Sequence, residues 1–210
     1  RPDIANAVRE LSKCLDGPSD AAFKELKRCI KYVLETENLA LKVQPKMDDG
    51  LFTMIAFSDS DYASDPETRR SITGFILYFC EVPISWKSKS QKSVTLSSSE
   101  AEYIALSETA KEIKFVYQVL RSMGIDVKIP IVVRVDNVGA MFMSESIAVT
   151  QNSKHIDTRY RFVNEFVEDG FLKIIFVKTL DNDADLFKKN LGREMHMKHS
   201  EKMVMEKTTN

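Results

Sequence analysis

Four acidic residues stand out by their local settings. They are Asp59 in Phe57-Ser58-Asp59-Ser60-Asp61, Glu102 in Glu100-Ala101-Glu102-Tyr103, Asp136 in Val135-Asp136-Asn137, and Asp185 in Asn182-Asp183-Ala184-Asp185. They are separated by 43, 34 and 49 positions, so only tertiary folding can bring them together. Brought together they form an oxygen cage for a hard cation such as Mg²⁺, and a paired-ion site of that kind clamps both the attacking and the leaving oxygen of a phosphodiester. Each acid taken singly also has a plain structural reading. Ser58-Asp59-Ser60-Asp61 is good turn chemistry. Ser97 with Glu100, or Ser99 with Glu102, has capping-box spacing, which accounts for one glutamate and leaves the other in a first turn where the helix dipole favours a carboxylate. Asp136-Asn137 can cap a helix beginning near Val138, and Asp183 and Asp185 can be first-turn acids of the same kind. Four such acids at the ends of adjacent elements are harder to explain by capping alone. Grouped burial without cations would raise their pKa values or destabilise the fold.

The elements that must carry these acids read as α/β. Ile4, Ala5, Val8, Leu11 and Leu15 recur at helical spacing after Pro2 and are stopped by Asp16-Gly17-Pro18. Ser19 then caps a second helix with the stripe Phe23, Leu26, Ile30, Val33 and Leu34. Residues 42–50 have the turn chemistry of a linker, so the expected organisation is a helical hairpin at 1–45, an α/β domain at 51–191 and a flexible tail at 192–210. Within the domain, residues 51–57, 72–79 and 84–88 predict an antiparallel meander, and 98–123 one long helix ended by Gly124. Strands at 129–135 and 172–177, a short helix from Val138, a longer one through Tyr160, Val163, Phe166 and Val167, and a last helix at 183–189 complete the order. That order predicts a mixed five-stranded sheet with an antiparallel edge and a parallel centre, flanked by helices. Asp59 and Asp136 are expected at or just past strand C-termini, where sites form in such sheets.

Composition narrows the classes. With 43% hydrophobic and 29% charged residues the chain has an ordinary globular balance. Its longest apolar stretches, such as residues 129–133, are too short to cross a bilayer, so no membrane role is expected. Cys14, Cys29 and Cys80 show no CxxC spacing, which fits a reducing compartment, cytoplasmic or nuclear. The net charge of −1 does not announce a nucleic-acid binder, but residues 65–92 carry a local excess of +2 through Arg69, Arg70, Lys87, Lys89 and Lys92.

Seven segments, taken in order, resemble the ribonuclease H region of copia-type retrotransposon Pol polyproteins. They are Phe57-Ser58-Asp59-Ser60-Asp61-Tyr62-Ala63, Arg69-Arg70-Ser71-Ile72-Thr73-Gly74, Ile84-Ser85-Trp86-Lys87-Ser88-Lys89, Ser97-Ser98-Ser99-Glu100-Ala101-Glu102-Tyr103, Asp136-Asn137, Lys154-His155-Ile156-Asp157-Thr158-Arg159-Tyr160 and Ala184-Asp185-Leu186-Phe187. The resemblance runs from Arg1 to about Leu191, and residues 1–45 look like the thumb or connection of a reverse transcriptase. It implies a ribonuclease H-like fold and hydrolysis of the RNA strand of RNA–DNA hybrids during reverse transcription. It further implies two Mg²⁺, or Mn²⁺, held by Asp59, Glu102, Asp136 and Asp185. The implied partner is the reverse transcriptase core of the same polyprotein, in cytoplasmic virus-like particles or the nucleus. Arg69, Arg70, Lys87, Lys89 and Lys92 would position the hybrid through its phosphates, although charged residues around a meander also serve as edge protection. The alternative is a host-retained or decayed copy acting as a non-catalytic nucleic-acid-binding or interaction module. The histidine that cellular members carry shortly before the last aspartate is missing from residues 178–183, and His155 lies on the wrong segment to replace it. His155 is expected to hydrogen-bond a neighbouring loop instead.

Overall fold

The computed structural model describes residues 1–137 and 154–207. Helices α1 (Ala5–Ser12) and α2 (Asp20–Glu35) come first, the second capped by Ser19, whose hydroxyl accepts from Ala22 N at 3.2 Å. Strands β1 (Leu39–Leu41), β2 (Met54–Asp61), β3 (Ile72–Phe79) and β4 (Val82–Ser90) follow, then helix α3 (Ser98–Ser122) and strand β5 (Ile131–Val135). Helix α4 (Lys154–Glu168), strand β6 (Leu172–Phe176), the short helix α5 (Asp185–Lys188), helix α6 (Arg193–Ser200) and strand β7 (Val204–Glu206) complete the order. The helix expected from Val138 lies outside the described residues, as do the side chains of Lys154, His155, Ile156 and Asp157.

The main sheet runs β4-β3-β2-β5-β6, antiparallel across β4, β3 and β2 and parallel across β2, β5 and β6. Short apolar runs rich in β-branched and aromatic residues account for the strands, and the long helix α3 supplies the crossover that parallel pairing of β2 with β5 requires. Alternation along β2 divides the core. Met54 and Ala56 face a layer holding Tyr103, Leu106, Ala110 and Ile113 of α3 and Val163 of α4, whereas Phe57 packs with Ile76, Tyr78, Ala184, Phe187 and Met203.

Strand β2 corrects one expectation. It continues through Asp61, paired residue by residue with β3, so Asp59 lies inside a strand opposite Gly74 and not beyond its end. Ladder pairing with β3 alone holds extended a segment whose composition favours a turn, since the β5 ladder stops at Phe57. Asp136 does follow β5 directly.

The tail is a second correction. Residues 192–206 are not without structure: α6 is followed by β7, which pairs antiparallel with β1. His199 and Met203 are fully buried, and Asp183 binds the tail through His199 Nδ1 at 2.9 Å and Lys202 Nζ at 2.6 Å. At the other end, Arg9 Nε donates to Ser88 Oγ at 2.8 Å and Asn6 Nδ2 to Asn190 Oδ1 at 2.8 Å, which ties α1 to β4 and to the residues after α5. The α2 stripe stays exposed at Phe23, Leu26, Ile30 and Leu34. Among the described residues no helix is long and apolar enough to cross a membrane.

Candidate metal centre

Three elements deliver three carboxylates to one place. Asp59 projects from the middle of the sheet, fully buried, with its Oδ1 accepting from Ser60 N at 2.8 Å. Glu102 comes from the start of α3. There Ser97 Oγ accepts from Glu100 N at 3.1 Å and Glu100 Oε2 accepts from Leu96 N at 2.7 Å. Those two residues close the helix terminus, which frees Glu102 to turn inward, where it is buried. Gln91 Nε2 donates to Ala101 O at 2.9 Å and to Thr73 Oγ1 at 3.1 Å, so the first turn of α3 is fastened to β3. Asp136, half-buried, completes the group: one oxygen each of Asp59, Glu102 and Asp136 lies within 4.8 Å of the others.

Asp185 reaches the same centre from a further element, the short helix α5. Its approach is set by Asn182, whose Nδ2 donates to Ser58 O at 3.1 Å while its Oδ1 accepts from Ala184 N at 3.2 Å. Asp185 is buried but stands outside the group of three, joined to it by a lysine. Lys188 Nζ lies 2.6 Å from Asp59 Oδ2 and 3.3 Å from Asp185 Oδ1, and Lys189 Nζ lies 2.9 Å from the same Asp185 oxygen. Of the four carboxylates expected to act together, three therefore meet directly and the fourth meets them through an ammonium.

Sequence reasoning missed Lys188, Asn182 and Gly74. Lys188 follows Asp185 by one helical turn, a spacing common on any helix surface, and nothing in it signals burial. Gly74 stands opposite Asp59, where a Cβ would lie 2.8 Å from Ala184 O and 3.1 Å from Lys188 N. The absent side chain is what lets α5 sit against the sheet. Gly74→Ala is accordingly expected to cost about 1–3 kcal/mol of stability, the range for overpacking a close contact. An unchanged urea midpoint would show that α5 is not seated this way.

Charge sets the character of the centre. Burial pushes the Asp59 carboxyl up to about 7, against the pull of Lys188 and with the help of the Asp136 and Asp185 charges. Burial likewise pushes Glu102 up to about 9, and Asp59 and Asp136 add to it. Burial works against the Lys188 charge too, yet the surrounding carboxylates, Asp59 foremost, outweigh it and hold the ammonium well above the ordinary lysine range. Asp59 Oδ2 and Asp185 Oδ1 are buried and neither receives an aligned hydrogen bond; both face the Lys188 ammonium, and Asp185 Oδ1 also faces that of Lys189. An all-oxygen donor set with excess negative charge and unsatisfied buried acceptors fits a hard divalent cation.

The basic residues expected to meet phosphates lie along the β2–β3 connection, on edge strand β4 and just after it. Arg69, Arg70, Lys89 and Lys92 are exposed. Lys87 is half-buried, its Nζ 3.5 Å from Glu108 Oε2.

No family model matches the chain. It is 34% identical over 203 residues to the "Retrovirus-related Pol polyprotein from transposon RE2" of Arabidopsis thaliana, an alignment covering 97% of this chain and 14% of that protein. It is 36% identical over 193 residues to the "Retrovirus-related Pol polyprotein from transposon TNT 1-94" of Nicotiana tabacum, covering 92% of this chain and 14% of that protein. The chain thus spans about 14% of the length of these curated relatives. Among solved structures it is similar to the "Crystal structure of LC11-RNase H1 in complex with RNA/DNA hybrid", at a TM-score of 0.49 and 11% identity, covering 65% of this chain and 94% of that one.

Proposed function

This chain belongs to the retrovirus-related Pol polyproteins of copia-type transposons, and we propose that it is their ribonuclease H, a metal-dependent endonuclease for the RNA strand of RNA–DNA hybrids. The observation that carries this reading is the convergence of Asp59, Glu102 and Asp136, from three separate elements, to within 4.8 Å. A structural acid needs one partner or one cap, and grouping three so closely, two of them buried, without a cation is costly. Asp59, Glu102 and Asp136 would hold one side of the centre, with Asp185 closing the other.

Two Mg²⁺ ions, or Mn²⁺ in their place, would supply a nucleophilic water near neutral pH and charge neutralisation at the leaving 3′ oxygen. The chain's own groups do the remaining work. Buried carboxylates in a rigid sheet and helix keep the donors fixed, so little reorganisation is needed when charge develops on the phosphate. Arg69, Arg70, Lys87, Lys89 and Lys92 would hold the backbone of the duplex without reading sequence. Preference for an RNA strand would come from contacts to its 2′-hydroxyls across a wide, shallow minor groove. The reverse transcriptase core of the same polyprotein is the partner this assignment implies, as the source of the hybrid.

The test is hydrolysis of a labelled RNA–DNA hybrid by the full chain. Cleavage of the RNA strand with Mg²⁺, abolished by EDTA, is expected. Hybrid binding with no cleavage under any divalent ion would instead identify a non-catalytic binding module.

A further inference from the structure

The lysine inside the carboxylate cage has no part in the reading above, and its placement is specific. Lys188 is 8% exposed, its Nζ lies 2.6 Å from Asp59 Oδ2 and 3.3 Å from Asp185 Oδ1, and among the described residues these are the two buried carboxylate oxygens that lack an aligned hydrogen bond. The cage therefore has two sides sharing Asp59. On one, Asp59, Glu102 and Asp136 group within 4.8 Å. On the other, Asp59 and Asp185 enclose an ammonium. In the fully deprotonated form that binds metal, four carboxylates against Lys188 and Lys189 leave two negative charges, which one divalent ion neutralises.

We infer that Lys188 is a built-in cation of the centre, its ammonium filling the place between Asp59 and Asp185, so that the resting site takes one divalent ion and admits a second only when the lysine withdraws. This rests on the nuclease reading and adds a competition to it. The lysine is anchored from behind, because the backbone N of Lys188 packs beneath Gly74, and the side chain leaves the cage by rotation about its own bonds. Without a second ion the lysine keeps Asp185 and Asp59 from facing each other as bare charges. When the lysine moves out, the same two oxygens become donors for a cation.

The experiment counts ions. Mn²⁺ is titrated into the full chain without nucleic acid, and free Mn²⁺ is read by electron paramagnetic resonance. Wild type is expected to bind one ion tightly. Lys188→Met is expected to bind two, the second at least about tenfold more tightly than in wild type, equivalent to one decade in Kd. Lys188→Arg, which keeps a cation in place, is expected to stay at one. Two tight ions in wild type, or one in Lys188→Met, would overturn the inference and leave the nuclease reading standing. No tight ion in either protein would remove that reading, and the inference with it. Wild type gives a second readout that stands even if Lys188→Met does not fold. Acetylation of Lys188 by acetic anhydride, mapped by mass spectrometry, is expected to be slow at low Mn²⁺ and to rise severalfold as Mn²⁺ is raised. Labelling that ignores Mn²⁺ would also overturn the inference.

Discussion

Asp136→Asn is expected to slow hybrid cleavage by about 10³-fold or more, since a metal centre contributes several kcal/mol of charge stabilisation and each 1.36 kcal/mol is a decade in rate. The unfolding temperature in EDTA is expected to stay level or rise. Asp136 is half-buried, and its charge is one of those that raise Asp59 and Glu102, so a neutral amide relieves repulsion. Asp59→Asn is expected to lose as much activity but also to lose stability. Its carboxylate is the closest partner of the buried Lys188 ammonium, and removing one member of such a pair costs about 3–5 kcal/mol. Asp185, at 3.3 Å, offsets part of that cost. The two variants thus part company in stability while matching in activity. Single-turnover cleavage of a labelled hybrid and thermal melts in EDTA read both. Full activity in Asp136→Asn would remove its place at the centre, and an Asp59→Asn protein as stable as Asp136→Asn would deny the Lys188 pairing.

Much of this centre was legible in one dimension, for physical reasons. Ser97 and Glu100 are local to each other, so their capping chemistry shows in spacing, although Ser99 with Glu102 shows the same spacing and only the inward turn of Glu102 separates them. The strands were visible as apolar runs bounded by turn chemistry. Their ends were not: Ser58-Asp59-Ser60-Asp61 prefers a turn on its own, and pairing with β3 holds it extended. The ordering of the tail was equally hidden. β7 is a three-residue strand whose partner β1 lies near the other end of the chain, and α6 has weak amphipathicity, so neither leaves a local mark. Buried Lys188 and Gly74 depend on the approach of α5 to the sheet, a contact between segments far apart in sequence. Pattern reading assigns such a lysine to solvent, because lysines are rarely buried unless paired. The α2 stripe shows the converse, since its helical periodicity is clear and yet Phe23, Leu26, Ile30 and Leu34 stay exposed.

Metal-free protein is expected to lose stability as pH rises, and divalent metal to reverse the trend. Asp59 and Glu102 both bind protons more tightly folded than unfolded, since burial and neighbouring carboxylates raise them to about 7 and about 9. A carboxyl raised in this way contributes its full stability below the ordinary carboxylate range. That contribution is lost as pH climbs through the folded value, because the folded state holds more protons than the unfolded one. The window therefore opens above about pH 4–5 and extends through 7 for Asp59 and to 9 for Glu102. Other groups act in the opposite sense. Asp3 and Glu108 are lowered despite burial, Asp3 by Arg1 and Tyr32 and Glu108 by Lys111 and Lys87, so their contribution is present above the unfolded value and lost as pH falls. Those losses lie on the acid side and leave the neutral-to-alkaline window to the centre. Metal binding requires deprotonated ligands, so affinity should strengthen over the same interval in which the metal-free fold weakens. At a hundredfold excess over Kd, Mg²⁺ adds about 2.7 kcal/mol, which for a chain of this size is roughly 5–10 °C in Tm. Melts in EDTA and in excess Mg²⁺ at about pH 6 and about pH 8.5 should diverge, with the larger metal-induced rise at the higher pH. A metal-free Tm that is flat or rising between those values would mean that the carboxylates are already neutralised within the fold, and Lys188 and Lys189 would then be sufficient counter-ions without any metal.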